Sequence, residues 1–434
     1  MKTILMILPL IILICASVAA VAKPSVQSTT FQIGFWCGVP DTDNKQEHYQ
    51  TIKDLGFTFA IQGFVYDLAK IKPTYLDDLD KMIKYCGNIG LKAMVLDPGL
   101  HHPFKRVNDK KWKKTYAKIV SKYANNPNVY GFDLHDEPNT AHFQSLKEAS
   151  DIIHKVNPDA FVHANLLPTY ATTGQLGASS YEEYLDLFLK TVKPSVVCYD
   201  HYALMNDGST RPDYYENLEV VRKYALKYNV IPWNGILSWS HLAYAKPTDA
   251  QMRWQVYTSL ASGMKGIMYF IYWAPREWNA GTGIVDFDGK PTPLGLGVKQ
   301  LNSEMSVLGK TLLQLTSTDV YFTGNIPAGC KKLGMTNIIQ LPSDKNLMIG
   351  FFKDKTGSQY AMIVNTDAAN PVDFNANLKL PYCTWDPNYK PAVTGLTEIS
   401  KTTGTQTPVP VTDNTAPIHL DPGDGKLFKL ITGP

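Results

Sequence analysis

At 434 residues the chain exceeds what one ordinary hydrophobic core holds, so a large domain with a smaller companion is expected. Its 44% hydrophobic and 19% charged residues fit a soluble globular protein. A net charge of +3 without a basic block argues against a nucleic-acid partner, while 24 Tyr and 8 Trp are compatible with carbohydrate binding and equally with a large aromatic core.

The chain opens with Lys2, an apolar run from Ile4 to Val18, and Ala20-Val21-Ala22 before polar Lys23-Pro24-Ser25. This order predicts a signal peptide over residues 1–22, cleaved before Lys23, and hence a secreted protein. A membrane anchor is the alternative, but the run is short and ends in small residues. No later stretch is long and apolar enough to span a bilayer, so no membrane partner is expected after cleavage. Five cysteines then remain, with no C-x-x-C pair to suggest zinc. Cys37, Cys86 and Cys198 lie in apolar patterns as buried thiols, whereas Cys330 and Cys383 are candidates for one disulfide. No N-x-S/T sequon occurs.

From Phe31 short β-like runs alternate with helical patterns. Strands are predicted at "FQIGFWCGVP" (31–40), "FTFAIQGF" (57–64), "LKAMVLDPG" (91–99) and "VYGFDLHDEP" (129–138). Four more follow at "DAFVHANLLP" (159–168), "SVVCYDHYAL" (195–204), "VIPWNGILSW" (230–239) and "GIMYFIYWAP" (266–275). The intervening segments carry apolar residues at helical spacing. The first ends at Gly56 and the second at Gly90, both suited to a helix C-terminus, and the segment before the eighth strand opens with Thr248 as a cap. Strict β-α alternation specifies a parallel sheet with crossover helices. Eight units within residues 31–316 fit a closed (β/α)8 TIM barrel, for which about 250 residues is typical. An open doubly wound sheet is disfavoured, because "CGVPDTDN" after the first strand is not a glycine-rich phosphate turn. Over residues 317–434 the helical period disappears. Short β-like runs broken by Gly, Pro, Asn and Asp predict a small antiparallel β-sandwich, with a Thr/Pro-rich loop at "KTTGTQTPVPVTDNTAP".

A TIM barrel keeps its active site at the C-terminal strand ends. There the sequence places Asp97 on strand three and Asp133, His135, Asp136 and Glu137 on strand four. His163 and Asn165 follow on strand five, Tyr199, Asp200, His201 and Tyr202 on strand six, Trp233, Asn234, Trp239 and His241 on strand seven, and Trp273 and Glu277 after strand eight. Were strand four regular, Asp133, His135 and Glu137 would share one face, with Glu137 at the mouth. Carboxylates supply general acid and base, flat rings stack on sugars, and amides and imidazoles bind hydroxyls. A divalent metal on His135, Glu137, Asp200 and His201 is the rival chemistry, though the two-His spacing of metallohydrolases is missing. Glu137 and Asp200 also admit purely structural roles, as rim carboxylates in hydrogen bonds.

The stretch "GFDLHDEPN" resembles the strand-four tip of retaining glycoside hydrolases of clan A, whose motif is Asn-Glu-Pro. "ASGMKGIMYFIYW" is similar to the seventh helix and eighth strand of the β-galactosidase-like branch of that clan, and "HLDPGDGKLFKL" resembles its appended β-domains. The resemblance implies that Glu137 is the general acid/base and that Asp136 replaces the Asn that binds the sugar 2-hydroxyl. It also implies that Trp273 is the aromatic platform and that Tyr202 orients the nucleophile. The clan's nucleophilic Glu ends strand seven, but "VIPWNGILSWSH" has no carboxylate there; Asn234 or Ser238 occupies the region. Two substitutes are available, Asp200 on a strand tip and Glu277 in a loop, and Asp200 is favoured because strand tips hold groups more rigidly. The reading is a secreted glycosidase with Glu137 and Asp200 catalytic and with Asp136, Asp133, His135, Asn165, His201, Tyr202, Trp233 and Trp273 around a carbohydrate substrate, requiring no cofactor and no metal. Like charge from Asp136 and Asp133 would raise the Glu137 pKa. The alternative is a carbohydrate-binding barrel that has lost catalysis.

Overall fold

The structure is a computed structural model that describes residues 29–62, 75–96, 110–334, 337–378 and 393–432. The predicted signal segment, Asp97 and Cys383 lie outside the described residues.

Eight strands form one parallel sheet: β1 (Gln32–Phe35), β2 (Phe59–Ile61), β3 (Lys92–Val95), β4 (Val129–Asp136), β5 (Phe161–Leu166), β6 (Val196–Asp200), β7 (Ile231–Leu237) and β8 (Gly266–Phe270). They are short and almost wholly buried, as expected of parallel strands covered on both faces. Each is followed by a helix: α1 (Gln46–Asp54), α2 (Tyr75–Asn88), α3 (Lys110–Tyr123), α4 (Phe143–Val156), α5 (Tyr181–Val192), α6 (Tyr214–Tyr228), α7 (Asp249–Ala261) and α8 (Pro293–Leu312). The ladder runs from β1 through β8 and β7 back to β2. β1 and β2 nearly close it: Thr58 N–H donates to Ile33 O at 2.9 Å, and Gly38 N–H donates to Gln62 O at 3.1 Å. The sequence reading of a (β/α)8 barrel therefore holds.

After α8 the chain enters a six-stranded antiparallel sheet in the order β14-β13-β16-β11-β10-β9, with β12 and β15 paired as a second sheet. These strands are β9 (Thr316–Phe322), β10 (Leu347–Lys353), β11 (Gln359–Asn365), β12 (Val372–Asn377), β13 (Val393–Ile399), β14 (Gln406–Pro408), β15 (Thr415–Leu420) and β16 (Gly425–Thr432). Side-chain alternation sends Leu347, Ile349 and Phe351 of β10 toward Phe374, Ile418 and Leu420 of the two-stranded sheet. Met348 and Phe352, on the opposite face, join the barrel core. That double demand explains why β10 reads "LMIGFFK", with almost no polar residue.

The sheet docks on α7. This helix buries nearly every residue from Met252 to Ala261, because the barrel covers one side and the β-domain the other. Thr248 caps it as predicted, its side chain accepting from Gln251 N–H at 3.2 Å. At the join, Lys401 Nζ lies 2.7 Å from Asp424 and 3.8 Å from Glu304 of α8, and Tyr257 of α7 donates to Glu304 at 2.6 Å. Backbones approach closely: a Cβ on Gly350 of β10 would lie 1.9 Å from Ala261 O. Gly350→Ala must push the sheet off α7 and is expected to cost about 1–3 kcal/mol of stability, read as a lower denaturation midpoint in urea. An unchanged midpoint would show that the sheet is not held at this contact.

Candidate active site

A cleft of about 620 Å³ opens at the C-terminal end of the barrel. Asp136 and Glu137 from β4, Asn165 from β5, and Asp200 and Tyr202 from β6 all line it. A second cavity, of about 390 Å³, lies at the opposite strand ends among Thr30, Ser195, Ile231 and Lys265, away from these carboxylates.

β4 is not regular at its tip. Asp133 pairs with His163 but Asp136 pairs with Asn165, so three steps on β4 oppose two on β5. This bulge overturns the expected shared face of Asp133, His135 and Glu137, because the extra residue re-aims everything beyond it. Asp133 stays fully buried with His163 Nδ1 3.2 Å away, outside the cleft lining. His135 turns from the mouth: its Nδ1 lies 2.5 Å from Asp136 O and its ring stacks on His142. Asp136, the third residue after Asp133, enters the cleft instead. Glu137 then adopts a left-handed φ of 47°, costly for a non-glycine, and its N–H donates to Asn165 O at 2.8 Å. Tyr184 of α5 anchors the following turn by donating to Pro138 O at 2.7 Å.

Asn165 ties the carboxylates together. Its Nδ2 donates to Asp136 Oδ1 at 3.1 Å, and its side chain also donates to Asp200. Tyr202 hydrogen-bonds to Asp200 as well. Asp200 is nearly fully buried, and its Oδ1 has no hydrogen-bond partner. Opposite it in register on β7 is Gly235, where a Cβ would come 2.9 Å from Asp200 Cβ. Glycine there gives Asp200 the room it occupies.

These contacts order the acidities. Burial raises the Asp200 pKa, but hydrogen bonds from Tyr202 and Asn165 oppose that by favouring its anion. Asp136 is raised by burial and then by the charge of Asp200, with Asn165 opposing. Glu137 is raised by partial desolvation between the cleft walls, then by Asp200 and Asp136, with no hydrogen bond opposing. Its carboxyl remains open to solvent, which tempers these charges. The expected contribution of Asp133 falls on Asp136 rather than on Glu137. Asp200 is therefore the group best disposed to ionise, and Glu137 the one best disposed to keep its proton.

Other residues read from the sequence lie elsewhere. His201 is buried behind the wall, 3.2 Å from Asp213, and desolvation lowers its pKa despite that neighbour. Trp233 is the third residue of β7, near the strand's N-terminal end, and packs against Phe59 and Phe161 rather than at the mouth. Trp273 is buried beside His48, three residues past β8, and is not a cleft residue. The β8 aromatic in the cleft is Phe270, stacked on Tyr202 with ring centres 5.3 Å apart. Asn234 points to α7, donating to Ser259 Oγ at 2.9 Å, and Ser238 is buried with its hydroxyl toward Ile271 O. Glu277 is exposed on a short 3₁₀ turn outside the cleft lining. Among the described residues Cys330 has no disulfide partner, and its expected one, Cys383, lies outside them. Among the described residues no group of three or more His, Cys, Asp or Glu could hold a metal ion.

Sequence reasoning missed much of the aromatic wall. Trp36 after β1, Tyr170 after β5, and Tyr244, Trp278 and Phe270 all line the cleft, with Trp239 and His241 stacked in parallel at 5.0 Å. Arg211 stands behind this wall, 4.0 Å from the Tyr170 ring centre, and donates to Tyr244 Oη at 3.3 Å.

Residues 21–185 match the model of the cellulase family, glycosyl hydrolase family 5. The span includes Asp136, Glu137 and Asn165. Among solved structures, a glycoside hydrolase family 5 protein from Bacteroides vulgatus is similar at 11% identity and a TM-score of 0.56, over 93% of this chain and 89% of that one. A structure described as a glycoside hydrolase is similar at 11% identity and a TM-score of 0.55, over 93% of both chains. The β-galactosidase of the psychrophilic Marinomonas ef1 is similar at 12% identity and a TM-score of 0.51, over 67% of this chain; the match spans 63% of the β-galactosidase. At such identities the structural likeness is one of fold. No curated protein matches the chain. The family match over residues 21–185 and the shared architecture bear out the resemblance to clan A glycoside hydrolases.

Proposed function

We propose that this chain, with its glycosyl hydrolase family 5 match and its carboxylate-lined barrel mouth, hydrolyses O-glycosidic bonds of an oligo- or polysaccharide, using Glu137 as acid and Asp200 as the ionised partner. One observation carries the pairing. Asp200 shares the cleft with Glu137, is hydrogen-bonded by Tyr202 and Asn165 in a way that favours its anion, and adds its charge to the desolvation that raises the Glu137 pKa. Glu137 protonates the leaving oxygen as the C–O bond breaks through an oxocarbenium-like state. Asp200 takes a proton from the water that attacks the anomeric carbon. Proton exchange with solvent then restores both groups. Asn165 and Tyr202 hold Asp200, and the aromatic rings of Tyr170, Tyr244, Phe270 and Trp278 line the cleft around the sugar.

A panel of aryl glycosides and oligosaccharides incubated with the purified protein tests this reading. Release of reducing ends from any of them supports it. Binding without release from the whole panel supports a non-catalytic sugar-binding barrel, a reading favoured by β7, which sends no carboxylate into the cleft.

We also propose that the protein is secreted, on the order of charge, apolar run and small residues in its first 22 residues. No described helix is long and apolar enough to cross a membrane. Intact-mass analysis of protein from the culture medium is expected to place the mature N-terminus near Lys23; a retained Met1 or purely cytosolic protein would refute secretion.

A further inference from the structure

The two sides of the cleft differ in chemistry. The side built by β4, β5 and β6 carries Asp136, Glu137, Asn165 and Asp200. The lip formed by the turns after β7 and β8 carries Leu242, Trp278 and Ala280. Leu242 is 92% exposed, whereas the next most exposed large apolar side chain among the described residues, Leu296, reaches 59%. Single apolar residues at a surface are ordinary, but this one also has a left-handed φ of 50°, a conformation that favours glycine. The turn that holds it is fixed. Tyr244 N–H donates to His241 O at 2.8 Å, and Asn206 N–H donates to Ala243 O at 2.9 Å, pinning the turn to the loop after β6. Strain and exposure thus fall together on one rigidly placed side chain at the mouth of the cleft, where packing does not ask for it.

Three polar groups of this lip are already engaged within the protein. Tyr244 Oη accepts from Arg211 and donates to Tyr170, Trp239 Nε1 donates to Gly281 O at 3.3 Å, and Ser240 Oγ donates to Ala280 O at 3.4 Å. A sugar ring set against the lip would bring hydroxyls out of water and find few partners for them, which is costly. A hydrocarbon needs no partners and gains by leaving water. We propose that the substrate is an amphiphilic glycoside, whose sugar lies among the carboxylates and whose apolar aglycone, an alkyl chain, lies along Leu242, Trp278 and Ala280. This deepens the glycosidase reading and rests on it for the sugar. Leu242 is then a specificity-determining residue with no part in bond cleavage.

The test uses the full mature chain carrying Glu137→Gln, which removes the acid so that glycosides can be bound without turnover. Titration calorimetry compares methyl, butyl and octyl β-glucosides, and the same three β-galactosides, each below its micelle concentration. Affinities are compared within one sugar, so the result does not depend on which sugar the cleft prefers. A methylene fully removed from water contributes roughly fourfold in affinity, so burial of only two makes the octyl glycoside more than about tenfold tighter than the methyl one. Leu242→Gly and Leu242→Asn, both tolerant of this φ, should cut that ratio to about threefold or less and leave the urea midpoint unchanged or higher. A purely structural Leu242 would instead lower the midpoint and leave the ratio alone. No gain with chain length in either series, or a gain that survives both substitutions, overturns the inference. Methyl β-cellobioside probes a second sugar on the lip: a gain over methyl β-glucoside as large as the octyl gain, and lost in the same two variants, also overturns it. Cleavage is tested separately with the wild type. If it hydrolyses these glycosides without regard to chain length, the glycosidase stands and the apolar aglycone falls. If the Leu242-dependent preference is found but the wild type releases no alcohol from any of them, the amphiphilic ligand stands and cleavage at this cleft falls.

Discussion

Glu137→Gln is expected to slow hydrolysis of substrates with poor leaving groups by about 10²–10⁴-fold, the range in which general acid catalysis contributes. Glutamine keeps the shape and the backbone bond to Asn165 O, so the loss isolates the proton. Aryl glycosides with very acidic phenols leave with little protonation and should lose far less. The pH profile adds a sign. Glu137 works protonated and its pKa is raised, so wild-type activity should persist through neutrality and fall as pH climbs past that raised value. In the Gln variant the alkaline fall should vanish from the residual rate. Equal losses for good and poor leaving groups, with the alkaline limb intact, would remove Glu137 from the role of acid.

Asp200→Asn is expected to reduce hydrolysis of both substrate types by a comparable factor of about 10²–10⁴, since activation of water is needed whichever group departs. Asp200 works ionised. Its burial raises its pKa, so wild-type activity should fall as pH drops through that value, and the acid limb should be lost from the residual rate of the variant. The same substitution removes a negative charge beside Glu137 and so lowers the Glu137 pKa, moving the alkaline limb to lower pH. Full activity in Asp200→Asn with none in Glu277→Gln would transfer the role to the exposed turn after β8.

The alternation of apolar runs with amphipathic segments made the barrel legible, because covered parallel strands and their crossover helices leave separate periods in sequence. α7 departs from the amphipathic pattern: it is buried on nearly every side, with polar Gln255, Thr258 and Ser259 included, which the second layer formed by the β-domain explains. At the site, Asp136, Glu137, Asn165, Asp200 and Tyr202 could be placed at the mouth because each ends a strand. What could not be read was the bulge between Asp133 and Asp136. One extra residue exchanges the inward and outward faces, and no local residue type announces it. Trp233 was assigned to the wrong end for a related reason: an apolar run does not mark its own depth in a barrel. Trp273 was assigned through resemblance, whereas the chain turns at once after β8 and leaves Phe270 in the cleft. Tyr170, Tyr244 and Trp278 come from loops and turns, whose course depends on tertiary contacts rather than on periodicity.

Gln255 of α7 gives the docking of the β-domain a wider meaning. Its amide donates to Leu237 O and accepts from Leu237 N–H, both at 2.9 Å, and so fastens the end of β7 to the helix. The other side of that helix is gripped by β10, β11 and β16. The C-terminal sheets thus serve as a buttress to one wall of the mouth, not as a passenger on a tether. Any glycan-gripping surface on those sheets would sit at one spacing and one orientation from the cleft, so that a long chain touching both would be measured as if against a ruler.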